Sequence, residues 1–224
     1  MIYEFEQYSV ERLVTGPWKE NCYIVKDRES GEVALFDPGD DAHIIRESLK
    51  KLTVSVRHIM LTHGHYDHLT AASEICDIAD LPCSIHKDDI ALLRRAPIYA
   101  MAFEKRKIVI PDNIVSYDEC LRFELGSHTI EILSTPGHTP GSVCFDFGSF
   151  ILSGDTLLQK AIGRSDLPGG DSQNLSRSVG LLLDKSDSDT VLLPGHGNPW
   201  SIGEALDWRT EQQPKSNTHV EGKD

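Results

Sequence analysis

Residues 62–68 of this chain read THGHYDH and place three histidines and one aspartate within six positions. Imidazole and carboxylate groups together are the usual protein ligands of zinc, iron and manganese. His63 and His65 are two residues apart, so an extended strand end would point both side chains to the same side. Asp67 and His68 fall where the next helix is expected to begin and would project from another direction. This one segment could therefore ligate two neighbouring metal ions.

A histidine-rich surface loop is the alternative interpretation, and for a single isolated histidine it would be preferred. Four potential ligands directly after an apolar strand favour a metal site instead. Gly64, between the first two histidines, allows the backbone to bend closely at this point. The segment therefore predicts the centre of a functional site.

Three further candidate ligands lie downstream, each just after a predicted strand and within a turn that contains glycine. His138 lies in the sequence TPGHTPG, Asp155 in SGDT and His196 in LPGHG. Loops at strand ends are where a rigid scaffold places functional groups. Each residue alone is compatible with an ordinary polar turn, but together with the first cluster they predict one metal centre.

Strands followed by helices occur in two successive halves of the chain. Strands are predicted at residues 2–10, 21–27, 32–37, Val56–Leu61, Cys83–His86, Thr129–Leu133, Ser142–Phe147, Phe150–Ser153 and Thr190–Leu193. Helices are predicted at Ile44–Leu52, His68–Ala79, Asp88–Arg95, Asn174–Leu183 and Ile202–Trp208. Residues Ala96–Asp118 are interpreted as an excursion between the halves, near the mouth of the site. The pattern favours two sheets packed face to face with helices outside.

Residues 1–210 are predicted to form one domain, and residues 211–224, which have few apolar side chains, a polar and flexible tail. The formal net charge of −13 disfavours binding to nucleic acids or anionic membranes. No apolar run is long enough to cross a bilayer, and Glu4 and Glu6 stand where a signal peptide would carry basic residues. The five cysteines are odd in number and irregularly spaced, which suits reduced thiols. A cytoplasmic protein is expected, and its oligomeric state is not indicated.

The pattern HxHxDH, followed by a lone histidine, GDT and PGHG, resembles the metallo-β-lactamase superfamily from about Asn21 to His196. The resemblance implies an α/β fold, an αββα sandwich with a dinuclear metal site at one edge of the sheets. The ligands that it implies are His63, His65 and His138 for a first metal, Asp67, His68 and His196 for a second, and Asp155 as a bridge between them. The two divalent ions are expected to be zinc, with iron or manganese accepted by the same ligand types.

Asp37, in the sequence FDPG, matches a family position that supports the loops carrying the ligands. An ordinary role as a turn-forming aspartate is equally compatible with the sequence. Two dications about 3.5–4 Å apart can hold a hydroxide near neutral pH and polarise a substrate oxygen, so no protein nucleophile is needed. Asp67 is expected to be catalytic, as a ligand of the second metal and a partner of the bridging water.

Residues Ile162–Asp171, IGRSDLPGGD, resemble the GR[ST]D…PGGD stretch of glyoxalase II-like hydrolases, which cleave thioesters such as S-lactoylglutathione. The resemblance is to the compact branch of that group, without the C-terminal helical domain that helps to bind glutathione. The substrate is therefore expected to be a small acyl-thiol, and its thiol could be glutathione, another small thiol, coenzyme A or a carrier protein. Arg164 and Lys160 are candidate substrate contacts. Alternatively, Arg164 and Asp166 form a structural salt bridge beneath the metal loops.

Three other functions stay open. Persulfide dioxygenases share the fold and the GR[ST]D stretch but use a single iron, and the PGGD ending favours the hydrolase over them. A lactonase, a β-lactamase or a small phosphodiesterase could use the same scaffold. A binding module that has lost its chemistry is disfavoured, because every ligand position is filled.

Overall fold

Two β-sheets form the centre of the described part of the chain, which comprises residues 1–52, 55–118 and 122–212 of this computed structural model. The first sheet contains, in spatial order, β1 (Ile2–Glu4), β2 (Tyr8–Thr15), β3 (Glu20–Asp27), β4 (Val33–Phe36), β5 (Val56–Met60), β6 (Cys83–His86) and β7 (Ile114–Tyr117). The second contains β8 (Arg122–Leu125), β9 (His128–Ser134), β10 (Val143–Asp146), β11 (Phe150–Gly154), β14 (Val191–Pro194) and β15 (Trp200–Ser201). A separate ribbon pairs β12 (Leu157–Leu158) with β13 (Ala161–Ile162).

Helices cover the outer faces of both sheets. They are α1 (Ala42–Leu52), α2 (Ala72–Ala79), α3 (Ile90–Glu104), α4 (Ser172–Lys185) and α5 (Ile202–Gln212), with short 3-10 helices at Tyr66–His68 and Lys87–Asp89. The first three pack on the first sheet and the last two on the second. The order of layers is therefore helix, sheet, sheet, helix, which confirms the predicted αββα sandwich.

Consecutive strand residues point to opposite layers, as the pleat of a strand requires. In β4, Leu35 faces the helices whereas Phe36 lies between the sheets. In β11, Ile151 faces α4 and α5 whereas Leu152 lies between the sheets. These two strands thus contribute to two apolar cores each, and removing this area from water is the main force that holds the layers together.

The strands that precede the candidate ligands all run in the same direction within their sheets. In the first sheet β5 lies parallel to β4 and β6. In the second, β11 is parallel to β14, and β9 and β11 are both antiparallel to β10. The carboxyl ends of β9, β11 and β14 therefore share one edge, where the loops after them can meet the loop after β5.

The stretch 96–118 differs from the prediction of an excursion between two halves. α3 continues past Arg95 to Glu104 and contains Pro97, and β7 then joins the first sheet in parallel with β6. Proline lacks the N–H that would bond to the preceding turn, so a helix end was expected here. The helix continues because Leu93, Ala96 and Ala100 are buried against the first sheet.

Other element bounds differ in smaller ways. The predicted strand 2–10 is two strands, β1 and β2, and the predicted helix from His68 is a 3-10 helix followed by α2. β8 was not predicted. α5 ends at Gln212, and residues 213–224, which hold most of the predicted tail, lie outside the described part. The four described cysteines form no disulfide, and Cys120 lies outside the described residues. No helix in the described ranges has the length and apolar character needed to cross a membrane.

Candidate metal centre

All seven side chains that the sequence singled out as metal ligands meet at one edge of the two sheets. Their potential ligand atoms form three overlapping groups, each within 4.8 Å: His63, His65 and His138; His63, His68 and Asp155; and Asp67, His68 and His196. The loop after β5 supplies four of these residues, and the loops after β9, β11 and β14 supply one each. Shared members join the groups into one continuous cluster of a size that suits two ions.

The hydrogen bonds of His63 and His68 fix which ring nitrogen faces the centre. The Thr62 hydroxyl donates to Asp37 Oδ2 at 2.7 Å, so it accepts from His63 Nδ1 at 3.0 Å. His68 Nδ1 donates to the same Asp37 oxygen at 3.0 Å. Because Nδ1 carries the proton in each neutral ring, Nε2 presents a lone pair to the cluster. The buried carboxylate of Asp37 is therefore linked to both histidines, directly to His68 and through the Thr62 hydroxyl to His63.

Main-chain carbonyls orient two further ligands in the same way. His138 Nδ1 donates to the carbonyl oxygen of Arg164 at 2.6 Å. His196 Nδ1 donates to the carbonyl oxygen of Trp18 at 3.1 Å. Both rings therefore also turn an unprotonated Nε2 towards the centre.

Ring nitrogens inside the cluster approach one another closely. His65 Nδ1 lies 3.1 Å from His63 Nε2 and 2.9 Å from His138 Nε2, and His68 Nε2 lies 3.2 Å from His196 Nε2. Two lone pairs at these distances repel unless a proton or a metal cation lies between them. Zinc–nitrogen bonds of about 2.0–2.1 Å in a tetrahedral site would separate two ligand nitrogens by about 3.3 Å. The spacing thus fits imidazoles arranged around shared metal ions.

Asp155 lies between the histidines of the two groups. Its Oδ2 is 3.6 Å from His138 Nε2 and 3.6 Å from His196 Nε2, and its Oδ1 is 3.6 Å from His68 Nε2. Oδ1 is buried and has no hydrogen-bond partner among the described residues. An uncompensated buried carboxylate oxygen is costly, and a bound cation would remove that cost. This position would suit a ligand shared by two ions.

Ionisation states in the cluster also suit metal binding. Burial and the neighbouring His138 lower the pKa of His65 to about 3, so its ring is neutral. Burial alone would raise the pKa of Asp155, but His196 and His68 hold it below its usual value. Burial alone would lower the pKa of His68, but Asp155 and Asp67 raise it to about 10. At this pKa Nε2 of His68 carries a proton while no metal ion is bound, and an ion that binds there would displace it, because the same negative potential favours a divalent cation.

Asp89, which the sequence did not single out, joins the two loops that carry the first ligand group. Its buried carboxylate accepts hydrogen bonds from Gly64 N at 2.8 Å, Thr139 Oγ1 at 2.7 Å and Gly141 N at 2.7 Å. An aspartate before a helix ordinarily caps it, yet Asp89 makes no capping bond to α3. Its place in the sequence, directly before α3, therefore did not indicate that Asp89 contacts a loop 50 residues away.

Gly64 is required by close packing, although the sequence suggested a backbone bend. A Cβ at this position would lie 2.9 Å from the Asp89 carbonyl oxygen and 3.0 Å from Leu93 N. Gly195 is similarly constrained, since a Cβ there would collide with Asp155 Oδ1 and would lie 2.8 Å from His68 Cε1. Both glycines let backbone approach the cluster where no side chain would fit.

The loop that carries His196 is held from the first sheet. Asn21 Nδ2 donates to the carbonyl oxygens of Pro194 at 2.8 Å and Gly197 at 2.9 Å. The carbonyl oxygen of Gly197 also accepts from Arg12 Nη1 at 2.9 Å, and that of Pro194 accepts from the Tyr23 hydroxyl at 2.7 Å. These bonds fix His196 relative to the ligands of the other sheet.

A cleft of about 320 Å³ opens over the cluster of candidate ligands. Besides ligands, its walls contain Trp18, Tyr66, Leu92, Tyr99, Phe103, Leu158, Ile162, Arg164, Leu167 and Pro168. Of the two predicted substrate contacts, Arg164 lines the cleft, whereas Lys160 is exposed in the turn between β12 and β13 and does not line it. The Arg164 guanidinium makes two 2.9 Å hydrogen bonds to Asp166, so the alternative of a salt bridge between them is observed.

Comparison with known proteins agrees with this geometry. Residues 15–196 match the metallo-β-lactamase superfamily. The chain is 32% identical to the probable metallo-hydrolase YqgX of Bacillus subtilis (strain 168), over 83% of this chain and 89% of that protein. It is 29% identical to the hydroxyacylglutathione hydrolase GloC of Haemophilus influenzae (strain ATCC 51907 / DSM 11121 / KW20 / Rd), over 96% and 99% of the two chains. The crystal structure of TTHA1623 in a di-iron-bound form superposes with a TM-score of 0.80 at 32% identity, covering 88% of this chain and 96% of that one. Sequence, fold and ligand cluster together show that this chain belongs to the metallo-β-lactamase superfamily.

Proposed function

We propose that this protein is a metal-dependent hydrolase of thioesters. The observation that carries this assignment is the contact between the GRSD stretch and the first ligand group. The Arg164 carbonyl oxygen accepts the 2.6 Å hydrogen bond from His138 Nδ1. Gly163 packs on the main chain of Asp155 so closely that a Cβ would collide with the Asp155 carbonyl oxygen. The stretch that resembles the glyoxalase II-like group is thus part of the framework of the metal centre.

Similarity to GloC supports the same reaction class, because that relative is named a hydroxyacylglutathione hydrolase and aligns over nearly its whole length. The superfamily binds divalent metals, and the residues here fit two of them. His63, His65 and His138 would hold the first ion, Asp67, His68 and His196 the second, and Asp155 would bridge both. When bound, two such ions lower the pKa of a shared water and polarise the carbonyl under attack.

Asp67 is proposed to be the catalytic carboxylate among the ligands. Its Oδ2 lies 3.3 Å from His196 Nε2, and the side chain is partly exposed where it lines the cleft. His68 and His196 hold the pKa of Asp67 below its usual value although burial alone would raise it. The ionised carboxylate can therefore bind an ion and accept a hydrogen bond from the attacking water.

Hydrolysis of S-lactoylglutathione by protein reconstituted separately with zinc, iron and manganese tests the proposal, with thioester absorbance as the readout. Short-chain acyl thioesters of N-acetylcysteamine should be assayed in parallel, so that the result does not depend on glutathione. We expect turnover with at least one thioester that depends on added metal and is lost in Asp67→Ala. Metal-loaded protein that cleaves no thioester in this set would contradict the proposal.

The same preparation separates the other candidate activities. A persulfide dioxygenase would consume oxygen with glutathione persulfide, and a β-lactamase or lactonase would open a chromogenic cephalosporin or a lactone. The second ligand group, Asp67, His68 and His196, is complete and supports a dinuclear hydrolase over a single-iron oxygenase. We therefore expect no oxygen uptake.

A further inference from the structure

The cleft over the metal centre has apolar walls on three sides. α3 contributes Leu92, Tyr99 and Phe103, the β12–β13 ribbon contributes Leu158 and Ile162, and the loop after it contributes Leu167 and Pro168. These walls extend from the ligand cluster to the surface. A substrate whose reacting carbonyl lies at the metals would therefore place its remaining atoms against apolar side chains.

Large apolar groups at the rim of this cleft remain exposed. Phe103 is 61% exposed, Trp18 52% and Ile162 45%. The Phe103 ring lies nearly parallel to Tyr66 at 6.4 Å and to Tyr99 at 6.5 Å. Exposed aromatic side chains that line a concave site gain from contact with an apolar ligand, because that contact removes their area from water.

Cations for a charged substrate are scarce in the same walls. Among the described residues that line the cleft, Arg164 is the one with a permanent positive charge, and its Nε and Nη2 already donate to Asp166. In residues 105–107, the basic segment after α3, Arg106 pairs with Asp40 at 2.6 Å, and Lys105 and Lys107 are exposed and do not line the cleft. Glutathione carries two carboxylates, and neither finds an unpaired guanidinium or ammonium group in this lining.

We infer that the thioester substrate of this enzyme is uncharged near its reacting carbonyl and carries an apolar arm, which lies along Phe103 and the neighbouring walls of the cleft. The inference rests on the proposed thioester hydrolysis and deepens it. Burial of one methylene group changes a binding equilibrium by about fourfold. A chain several carbons long would therefore be strongly preferred over a short one.

A homologous series of uncharged thioesters tests this directly. Acetyl, butanoyl and hexanoyl thioesters of N-acetylcysteamine are compared with S-lactoylglutathione by kcat/KM. We expect kcat/KM to rise by at least about tenfold from the acetyl to the hexanoyl thioester. The expected rise is smaller than four buried methylenes would give, because not all four need be buried. The hexanoyl thioester should also exceed S-lactoylglutathione. A value that does not rise with chain length, or a faster reaction with S-lactoylglutathione, would overturn the inference and leave thioester hydrolysis standing.

Phe103→Ala and Ile98→Ala form a matched pair of variants. Both residues are exposed on α3, at 61% and 67%, but only Phe103 of the two lines the cleft. Phe103→Ala should remove most of the gain in kcat/KM with chain length, because the longer acyl chains lose the ring against which they would be buried. Ile98→Ala should follow the unaltered protein with every substrate. If kcat/KM depended on chain length equally in Phe103→Ala and Ile98→Ala, Phe103 would not be a binding contact for the apolar arm.

Binding without turnover separates failure of the inference from failure of the proposed function. The probes are the uncharged thioethers S-hexyl- and S-methyl-N-acetylcysteamine and the charged S-methylglutathione, with tryptophan fluorescence as the readout. Trp18→Phe identifies the part of the signal that comes from the cleft. We expect the hexyl thioether to bind more tightly than either the methyl thioether or S-methylglutathione. Tighter binding of S-methylglutathione than of the hexyl thioether would overturn the inference, whether or not any thioester is hydrolysed. Absence of thioester hydrolysis by itself would contradict only the proposed function.

Discussion

The carboxylate of Asp89 accepts a hydrogen bond from the main-chain amide of Gly64 at 2.8 Å. Gly64 lies between His63 and His65, so this bond fixes the relative positions of two ligands. The same carboxylate holds the loop that carries His138. Asp89 therefore sets the geometry of the first ligand group without belonging to it.

Asp89→Asn should weaken binding of one of the two ions. An asparagine has a single acceptor oxygen, so one amide N–H of the ligand loops would face an NH₂ group. We expect about a 10- to 100-fold loss in affinity for that ion, measured by chelator competition, with the second ion retained. Addition of excess metal should restore most of the turnover.

The neighbouring Asp88 provides the control for this variant, because it is exposed and contacts neither ligand loop through its side chain in the described structure. Asp88→Asn should bind both ions normally. Unchanged metal affinity in Asp89→Asn, with folding confirmed by circular dichroism, would show that the ligand loops hold their positions without it.

Asp67→Ala should lower kcat by at least about 100-fold while the fold is retained. The side chain lies at the cleft and packs in none of the three apolar cores. Metal analysis should show about one ion per chain, because the second ion loses one of its protein ligands and keeps His68, His196 and the shared Asp155. Normal turnover by this variant, with purity controlled, would rule out the two-metal mechanism.

Removal of metal should lower thermal stability as well as activity. Ions that bind only the folded chain stabilise it by about 4 kcal/mol at a thousandfold excess over Kd. Chelation should therefore lower the melting temperature by several degrees, and zinc, iron or manganese should restore it. Because this readout does not depend on the substrate, it tests the metal site alone. An identical melting temperature with and without chelator would contradict metal binding by this cluster.

Asp166→Asn should raise activity towards anionic thioesters. The substitution removes the carboxylate that binds Arg164 and frees a guanidinium that already lines the cleft. Both side chains are largely exposed, so little stability should be lost. We expect KM for S-lactoylglutathione to fall severalfold, whereas kinetics with uncharged acetyl-N-acetylcysteamine should not change. Equal effects on both substrates would indicate a change in the loop instead of a released charge.

Asp27→Asn should destabilise the protein at neutral pH and progressively less in acid. Asp27 ends β3 and accepts from Ser30 Oγ at 2.6 Å and from His128 Nδ1 at 2.9 Å, at the start of β9 in the other sheet. Burial alone would raise the pKa of Asp27, but these bonds lower it below 3.8. The ionised Asp27 therefore contributes to the free energy of unfolding above about pH 4. This contribution is lost as the pH falls through the pKa of Asp27 in the folded state, which is the lower of its two pKa values.

Urea denaturation at several pH values measures this dependence. The two proteins should differ by about 1–2 kcal/mol at pH 7 and converge below pH 4. Asp112→Asn, at an exposed site, is the control. A difference that stays constant down to pH 3 would assign the effect to packing instead of charge.

The ligands could be predicted from the sequence because their signals are local. His63 and His65 alternate after an apolar strand, and glycine- or proline-containing turns mark His138, Asp155 and His196. The layers were predictable for a similar reason, since strands in a sandwich keep a regular apolar pattern over four or more residues. α3 was predicted too short because its packing against the first sheet leaves no local signal in the sequence. That packing outweighs the local cost of Pro97 within the helix.

The sequence by itself therefore determined the αββα architecture, the family and the residues that the structure brings together in the candidate metal centre. Tertiary structure alone decided the protonated nitrogen of four of the candidate ligand histidines, the bonds of Asp89 across 50 residues, and the pairing of Arg164 with Asp166 at the cleft. The physical reason is the range of each interaction. Backbone preferences and apolar periodicity act over a few neighbouring residues and leave a trace in the sequence. Hydrogen bonds and ion pairs between distant loops depend on where folding brings them.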